Sequence, residues 1–401
     1  MEKLALFGGE PAAKHTPAWP MIGQGDVDAV SAVLRSGKLF RYDGGQIETW
    51  EKTYREYIGT EYALAVTNGT AALEIALACA GIGAGDEVVV PGYTFYSSAS
   101  AVSFVGATPV FCDVDPVSCN MTVETARACI TPRTRAIIPV HFAGYPVDLD
   151  PILDLAREHG LFVLEDCSHA HGTEYKGKKV GSFGNASTWS FQQSKNLTSG
   201  EGGMVLTNDK ALFERMYSRH TCGRHLGAAW YLHYTEASNL RMPEMSAALL
   251  LSQFAHLEAQ TEQRLANARI LDETIAQIPE LSVAQCPAEW STRRAYHLYV
   301  LRYQPGFSGV SRERFVEALV AEGVAASSGY PMSLSKQPVY ASYRTADGVP
   351  YHDVPLPNIE KICNEIIWIM QPALLGGTEQ GRALANAIRK VAAQAELLRD
   401  K

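Results

Sequence analysis

The segment "EYALAVTNGTAALEIALACAGIGAGDEVVVPG" (residues 61–92) decides the fold class. Residues 61–69 are mostly apolar and end in a Gly turn, which predicts a strand. Residues 70–82 combine helical spacing with strong helix formers and predict a helix. Residues 85–92 predict a second, buried strand that Pro and Gly close. A strand–helix–strand unit of this kind indicates a parallel sheet with helices on both faces.

The same alternation continues to about residue 250, and a different pattern follows it. Periodicity predicts further elements: helices at 97–107, 150–160, 243–279, 311–323 and 378–399, and strands at 108–115, 134–144 and 295–303. Residues 161–172 are expected to form a strand that runs into a polar turn. The helix at 150–160 is expected to be capped by Asp and stopped by Gly160. We therefore predict a large α/β domain over residues 1–255 and a smaller α+β domain over residues 256–401. The stretch 1–60 is expected to pack across both.

Composition limits the classes of function. Hydrophobic residues make up 46% of the chain and charged residues 19%, enough for a sizeable core. A net charge of −8 argues against nucleic acid or an anionic membrane as the main partner. We see neither a signal peptide nor an apolar run long enough for a membrane helix, which predicts a cytoplasmic protein. The eight cysteines are scattered, which favours free thiols over disulfides or zinc.

Three polar clusters are expected at the carboxyl ends of the strands, where ligands bind in open α/β sheets. The first is "TNGTAAL" (67–73), a Gly turn that leads into a helix. The unpaired N–H groups of a helix start carry partial positive charge, so this turn is suited to a phosphate. An ordinary βα turn capped by Thr70 is the alternative.

The second cluster is "EDCSHAHG" (165–172), in which an acidic pair ends an apolar strand. Burying a carboxylate costs free energy unless a positive group pairs with it, and a pyridinium nitrogen would be such a partner for Asp166. A helix-capping Asp or a metal ligand is the alternative, because His169 and His171 follow. His169 itself is either a cofactor contact or a structural hydrogen-bonding residue.

The third cluster is "STWSFQQSKNLTSGEGGMVLTND" (187–209), which places Lys195 in a small polar loop. Such a lysine either binds a phosphate, forms a Schiff base with an aldehyde, or is simply solvated. The flanking segments predict a hairpin-like strand pair with the loop at one end of the sheet, which disfavours the solvated state. A phosphate-binding turn, a carboxylate for a ring nitrogen and an amine for an aldehyde together match pyridoxal 5′-phosphate (PLP). Phe95, just after a strand, would stack on its ring or belong to the core.

These segments, in this order, resemble the sugar aminotransferases of the DegT–StrS type, a branch of the fold type I PLP enzymes. The resemblance covers at least residues 60–255 and is carried by these segments: "TNGTAALEIAL", "GDEVVVPGYTF", "GATPVFCDVDP", "AIIPVHFAG", "LEDCSHAHG", "SFQQSKNLTSGEGG" and "SNLRMPEMSAALLLSQ". It implies an α/β fold: a large, mainly parallel mixed sheet sandwiched by helices, plus a smaller α+β C-terminal domain.

The resemblance also implies roles for particular residues. Lys195 would hold the cofactor as a Schiff base and then act as the catalytic acid and base. Asn239 would reach the phosphate of the neighbouring subunit, which implies a homodimer with shared active sites. The remaining cofactor contacts implied are Asp166 at the pyridine nitrogen, His169 near the ring hydroxyl, Gly69, Thr70 and Ser190 at the phosphate, Gln193 beside the phosphate, and Phe95 on the ring.

The resemblance favours amino transfer, because members that dehydrate sugars carry His in place of this lysine. It implies an amino-acid donor, L-glutamine or L-glutamate, and a keto-sugar or keto-cyclitol acceptor in amino-sugar or aminocyclitol biosynthesis. A PLP-dependent sugar dehydratase and a non-catalytic PLP-binding regulator are the alternatives. Arg224 is a candidate for substrate binding, and a surface salt bridge is the alternative role for it. Tyr330 is a second candidate for substrate binding, and a position in a turn is the alternative role for it.

Overall fold

The computed structural model describes residues 2–13, 16–345 and 347–399. Its helices are α1 (Gln24–Ser36), α2 (Gln46–Ile58), α3 (Gly69–Cys79), α4 (Ser97–Phe104), α5 (Val123–Arg127), α6 (Leu149–His159), α7 (Lys210–His220), α8 (Glu244–Ile275), α9 (Arg312–Ala321), α10 (Pro357–Glu365) and α11 (Gly377–Ala393). Its strands are β1 (Tyr62–Val66), β2 (Glu87–Pro91), β3 (Thr108–Cys112), β4 (Thr134–Ile137), β5 (Phe162–Asp166), β6 (Glu174–Tyr175), β7 (Lys178–Lys179), β8 (Ala186–Ser190), β9 (Gly203–Thr207), β10 (Leu281–Val283), β11 (Ser291–Arg293), β12 (Leu298–Tyr303), β13 (Ala326–Ser327) and β14 (Ile366–Met370).

The central sheet has seven strands in the order β1-β9-β8-β5-β4-β2-β3. Strand β9 is antiparallel to both its neighbours, β1 and β8, and the other neighbouring pairs are parallel. The mainly parallel mixed sheet is therefore confirmed. The antiparallel pair β8–β9 is the predicted hairpin around Lys195.

Both faces of this sheet are buried, because successive side chains of a strand point to opposite faces. On β1, Leu64 and Val66 belong to a core with helices α3, α4 and α7. The alternate residues Ala63 and Ala65 belong to a second core with α2, α6 and α8. This arrangement confirms helices on both faces and explains why the strands read as apolar runs.

A second, four-stranded antiparallel sheet has the order β10-β12-β14-β13 and shares a third core with α9 and α11. Helix α8 has 32 residues, spans about 48 Å, and packs against α1, α2 and α11. The predicted boundary between residues 255 and 256 falls within this helix, and the division into two domains stays a prediction.

The N-terminal segment contacts both parts of the chain. The carboxylate of Glu322, at the end of α9, accepts hydrogen bonds from the N–H groups of Ala5 (2.8 Å) and Ala12 (2.9 Å). The indole Nε1 of Trp19 donates to the carbonyl oxygen of Gln193 in the lysine loop (2.8 Å). The stretch therefore contacts residues on both sides of the predicted domain boundary.

Several predicted elements are shorter in the structure than in the sequence prediction. The strand expected at 134–144 ends at Ile137. The strand expected to run into a polar turn over 161–172 ends at Asp166, and the turn follows it as predicted. The predicted cap Thr70 is wrong: α3 begins one residue earlier, and the Asn68 side chain accepts from the N–H of Ala71 (2.8 Å). Helix α6 does end at Gly160, whose φ is +64°. None of the described helices combines the length and apolar character that a membrane crossing requires.

Candidate active site

A cavity of about 820 Å³ lies where β1, β5 and β8 end, at the carboxyl edge of the central sheet. Eight of the residues predicted for the site line it: Gly69, Thr70, Phe95, Asp166, His169, Ser190, Lys195 and Tyr330. The C-terminal unit contributes Tyr330, and the sheet contributes the others with their following turns. Parallel strands bring these sequence-distant segments to one edge.

One wall of the cavity is the first turn of α3. A Cβ on Gly69 would lie 2.8 Å from the Cβ of Ser190, and a Cβ on Gly203 would lie 2.3 Å from the carbonyl oxygen of Asn68. The hydroxyl groups of Thr70 and Ser97 lie 2.8 Å apart at the N-terminal ends of α3 and α4. The backbone therefore approaches closely here, and its N–H groups form a cradle that suits a phosphate.

Asp166 ends β5 and is 4% exposed. Its carboxylate accepts hydrogen bonds from the Ser98 hydroxyl (2.8 Å) and the Ser168 N–H (3.1 Å). These two donors bind one oxygen each and fix the orientation of the carboxylate at the cavity wall.

The neighbouring buried groups His141, Glu165 and Cys167 bring three possible ligand atoms within 4.8 Å of one another. Glu165, however, accepts four hydrogen bonds, from His141 Nε2 and from the N–H groups of Gly181, Phe183 and Gly184. His141 Nδ1 accepts from the N–H of Val147, and burial raises the pKa of the Cys167 thiol. These hydrogen bonds hold the segment between β7 and β8 and the turn after β4, and they occupy the Glu165 carboxylate without a metal.

The two histidines of the predicted polar turn after β5 differ in their surroundings. His171 bonds through Nδ1 to the Tyr54 hydroxyl (2.8 Å) and through Nε2 to the Ser190 carbonyl (2.9 Å), so both its nitrogens are used inside the fold. Burial lowers the pKa of His171 to about 3. His169 instead lines the cavity and stacks on His297, with ring centroids 4.2 Å apart.

Lys195 lies in the loop that joins β8 to β9, and its N–H donates to the carbonyl of Gln192 (2.9 Å). Burial lowers the pKa of the Lys195 amine to about 8, and the charge of Asp166 acts in the opposite direction. An ordinary lysine has a pKa near ~10.4. The fold therefore increases the fraction of free, nucleophilic amine at neutral pH.

This shift predicts the pH dependence of labelling in the cofactor-free protein. Acylation of Lys195 by acetic anhydride should rise with pH and reach half its limiting rate near pH 8, because only the deprotonated amine reacts. The exposed Lys210 serves as the internal control for reagent consumption in the same sample. Peptide mass spectrometry reads both sites, and a half-point for Lys195 at the ordinary lysine value of about 10.4 would contradict the prediction.

Three predicted residues do not line the cavity. Gln193 is exposed, and its neighbour Gln192 lines the cavity instead. Arg224 lies over the ring of Trp230, with its Cζ 4.1 Å from the ring centroid. Asn239 is exposed, and its side chain accepts a hydrogen bond from the N–H of Arg241 (3.4 Å).

Sequence reasoning missed residues that tertiary packing brings to the cavity. Ser98 holds Asp166, and His297 and Trp368 line the cavity from the C-terminal unit. The one signal for His297 was a histidine near the start of a mostly apolar predicted strand, "AYHLYVLRY". Tyr330 was singled out, and it packs edge-on against Trp368 (4.7 Å).

The fold is that of the fold type I PLP-dependent aminotransferases. The chain belongs to the DegT/DnrJ/EryC1/StrS aminotransferase family, whose model matches residues 20–387.

Named relatives and a solved structure agree with this assignment. The chain is 34% identical to the 3-amino-5-hydroxybenzoate synthase of Amycolatopsis mediterranei (strain S699), over 96% of this chain and 99% of that one. It is 36% identical to the L-glutamine:2-deoxy-scyllo-inosose aminotransferase of Streptomyces fradiae, over 97% of each. The crystal structure of an aminotransferase from Psychrobacter cryohalolentis superposes with a TM-score of 0.86 at 34% identity, covering 95% of this chain and 99% of that one.

Proposed function

We propose that the chain transfers an amino group from L-glutamine or L-glutamate to the ketone of a polyhydroxylated ring, in amino-sugar or aminocyclitol biosynthesis. The observation that carries this proposal is one cavity that contains an amine of lowered pKa, a buried carboxylate and a helix start. The relative whose name specifies L-glutamine and 2-deoxy-scyllo-inosose supports the donor and the ring ketone.

The residues present fit PLP. The close approach at Gly69, Ser190 and Gly203 leaves a backbone cradle for the phosphate. Asp166 offers a charge to the ring nitrogen, and Lys195 offers an amine to the aldehyde. Phe95, with 56% of its surface exposed, is available to stack on the ring, and His169 lies within the same lining. When bound, PLP supplies an electron-accepting ring that makes the α-hydrogen of an amino acid acidic.

Each residue then has a chemical task. The Lys195 Nζ takes the α-proton of the donor and returns a proton to the carbon that receives the amine. Its pKa of about 8 suits this exchange near neutral pH. Asp166 keeps its negative charge at one position because Ser98 and Ser168 hold both its oxygens. Tyr330 and Trp368 line the cavity from the C-terminal part of the chain and add apolar surface to it.

The charge of the lining favours an unlinked ring over a nucleotide-linked sugar. Among the described residues that line the cavity, Lys195 is the one Lys or Arg side chain, and three carboxylates accompany it: Glu74, Asp166 and Glu201. A nucleoside diphosphate brings several negative charges, which such a lining does not attract. Carboxylates accept hydrogen bonds from hydroxyl groups, so a neutral polyol is the better match.

We further propose that the active unit is a homodimer with shared sites. Asn239 does not reach the cavity of its own subunit, which leaves it free to serve a neighbouring one. The adjacent surface carries exposed aromatic side chains, with Trp230 at 42% and Tyr231 at 85% exposure, and an exposed apolar patch of this kind is typical of a protein interface. Arg224, stacked on Trp230, belongs to the same surface.

The test uses the PLP-loaded protein with two donors and two acceptor classes. L-Glutamine or L-glutamate should bleach the cofactor absorbance, and an unlinked inosose should then restore that absorbance. The product of the inosose should carry an amine in place of the ketone, which mass spectrometry detects. A nucleoside-diphosphate keto-sugar should react more slowly. A deoxy product without nitrogen would indicate the dehydratase, and cofactor binding without any donor-driven bleaching would indicate the regulator.

A further inference from the structure

Two imidazole rings lie side by side in the wall of the cavity. His169 follows β5, and His297 directly precedes β12 in the C-terminal unit. Their ring planes are inclined by 29°, and their exposures are 7% and 4%. Burial lowers the pKa of each ring well below its ordinary value, and the charge of Lys195 adds to the effect. Both rings are therefore neutral, and each carries one N–H and one lone pair.

Backbone groups fix which nitrogen of His169 carries the proton. Its Nδ1 accepts a hydrogen bond from the N–H of Ala143 (3.3 Å), and a backbone N–H is only a donor. The proton of His169 therefore resides on Nε2. This ring offers a donor to the cavity, as a contact to the ring hydroxyl of the cofactor would require.

The opposite assignment follows for His297. The amide of Asn196 donates through Nδ2 to the carbonyl oxygen of Ala295 (2.8 Å), so its Oδ1 faces His297 Nδ1 (3.1 Å). An amide oxygen is only an acceptor, and His297 must therefore carry its proton on Nδ1. Its Nε2 is left with a lone pair, for which the described residues provide no hydrogen-bond donor.

We infer that His297 is a substrate-binding residue whose Nε2 accepts a hydrogen bond from a hydroxyl group of the acceptor ring. This inference rests on the proposed function and adds a specific contact to it. The cavity already provides Asp166, His169 and the α3 turn for the cofactor, whereas a polyol is the ligand that supplies additional O–H donors. Because Asn196 is the residue after Lys195, the bond also sets the ring relative to the reacting amine.

Two substitutions separate this role from a purely structural one. In His297→Gln the amide reaches the former position of Nε2, and in His297→Asn it reaches that of Nδ1. If His297 binds the substrate, H297N should weaken binding of scyllo-inositol to the PLP-loaded protein by about five- to tenfold, the value of one hydrogen bond. H297Q should stay within about twofold of wild type, measured by ligand-observed NMR.

A structural role predicts the reverse order, because H297N keeps the bond to Asn196 and H297Q loses it. That order, equal affinities of all three proteins, or no binding by the wild type would overturn the inference. The exposed His352 provides the matched control, and H352N should bind like wild type. Thermal unfolding and cofactor content report whether each variant folds.

A second measurement follows binding in the wild-type protein alone and uses H297Q only to assign the His297 resonance. In ¹⁵N-histidine-labelled wild-type protein, scyllo-inositol should shift the pyridine-type resonance that is missing from H297Q, and an unchanged resonance would overturn the inference. Donor-driven bleaching of the wild-type cofactor is measured separately. If bleaching fails while the polyol still binds, the proposed function fails and the contact of His297 stands.

Discussion

Lys195→Ala should lower kcat/KM by about 10⁴-fold or more, because it removes both the proposed covalent anchor and the proposed proton carrier. The side chain lies in the cavity lining with a pKa of about 8, and no other Lys or Arg among the described lining residues can replace it. The measurement is steady-state kinetics together with borohydride reduction, which should leave no cofactor bonded to the variant. Lys210→Ala, on the exposed side of α7, is the matched control and should keep nearly full activity.

The K195A variant can also be used to test whether active sites are shared between subunits. If Asn239 serves the neighbouring site, a mixed dimer of K195A with N239A contains one complete site, made from Lys195 of one subunit and Asn239 of the other. Co-refolded mixtures should therefore be more active than the mean of the two proteins measured separately, at limiting cofactor. Activity equal to that mean would argue against shared sites and leave the role of Lys195 intact.

Asp166→Asn should lower kcat by about 10²- to 10³-fold, the usual loss when one preorganised charge is removed from an active site. The amide keeps the shape and the bond from Ser98, but it cannot provide the negative charge that we propose for pairing with a protonated ring nitrogen. The donor half-reaction, followed by cofactor absorbance, should slow while the KM for the donor changes little.

A graded series sharpens this prediction. Ser98→Ala removes one of the two hydrogen bonds to Asp166 and keeps its charge, so its effect should be at least tenfold smaller than that of D166N. Asp154→Asn, on the exposed face of α6, is the control for an Asp-to-Asn change. Equal losses in D166N and S98A would show that orientation, and not charge, is what Asp166 contributes.

The sequence predicted the main site because each of its parts is a local pattern. The turn at Gly69 and Thr70 follows a strand and begins a helix, and Asp166 ends a strand. Lys195 lies between two segments whose apolar character predicted the hairpin that the structure contains. Carboxyl ends of parallel strands meet at one edge, so local order along the chain was sufficient to bring these groups together.

The sequence by itself thus determined the alternation of strands and helices between residues 61 and 166, the parallel strands covered by helices on both faces, and the three clusters at the edge of the sheet. Only the tertiary structure decided that Gln192 and not Gln193 lines the cavity, that Arg224 and Asn239 lie outside it, and that His297 and Trp368 complete it. The physical reason is the sequence separation of the interacting residues. Neighbouring residues set a helix start or a strand end. The direction of a loop side chain and the docking of β12 and β14 depend instead on packing between segments more than a hundred residues apart.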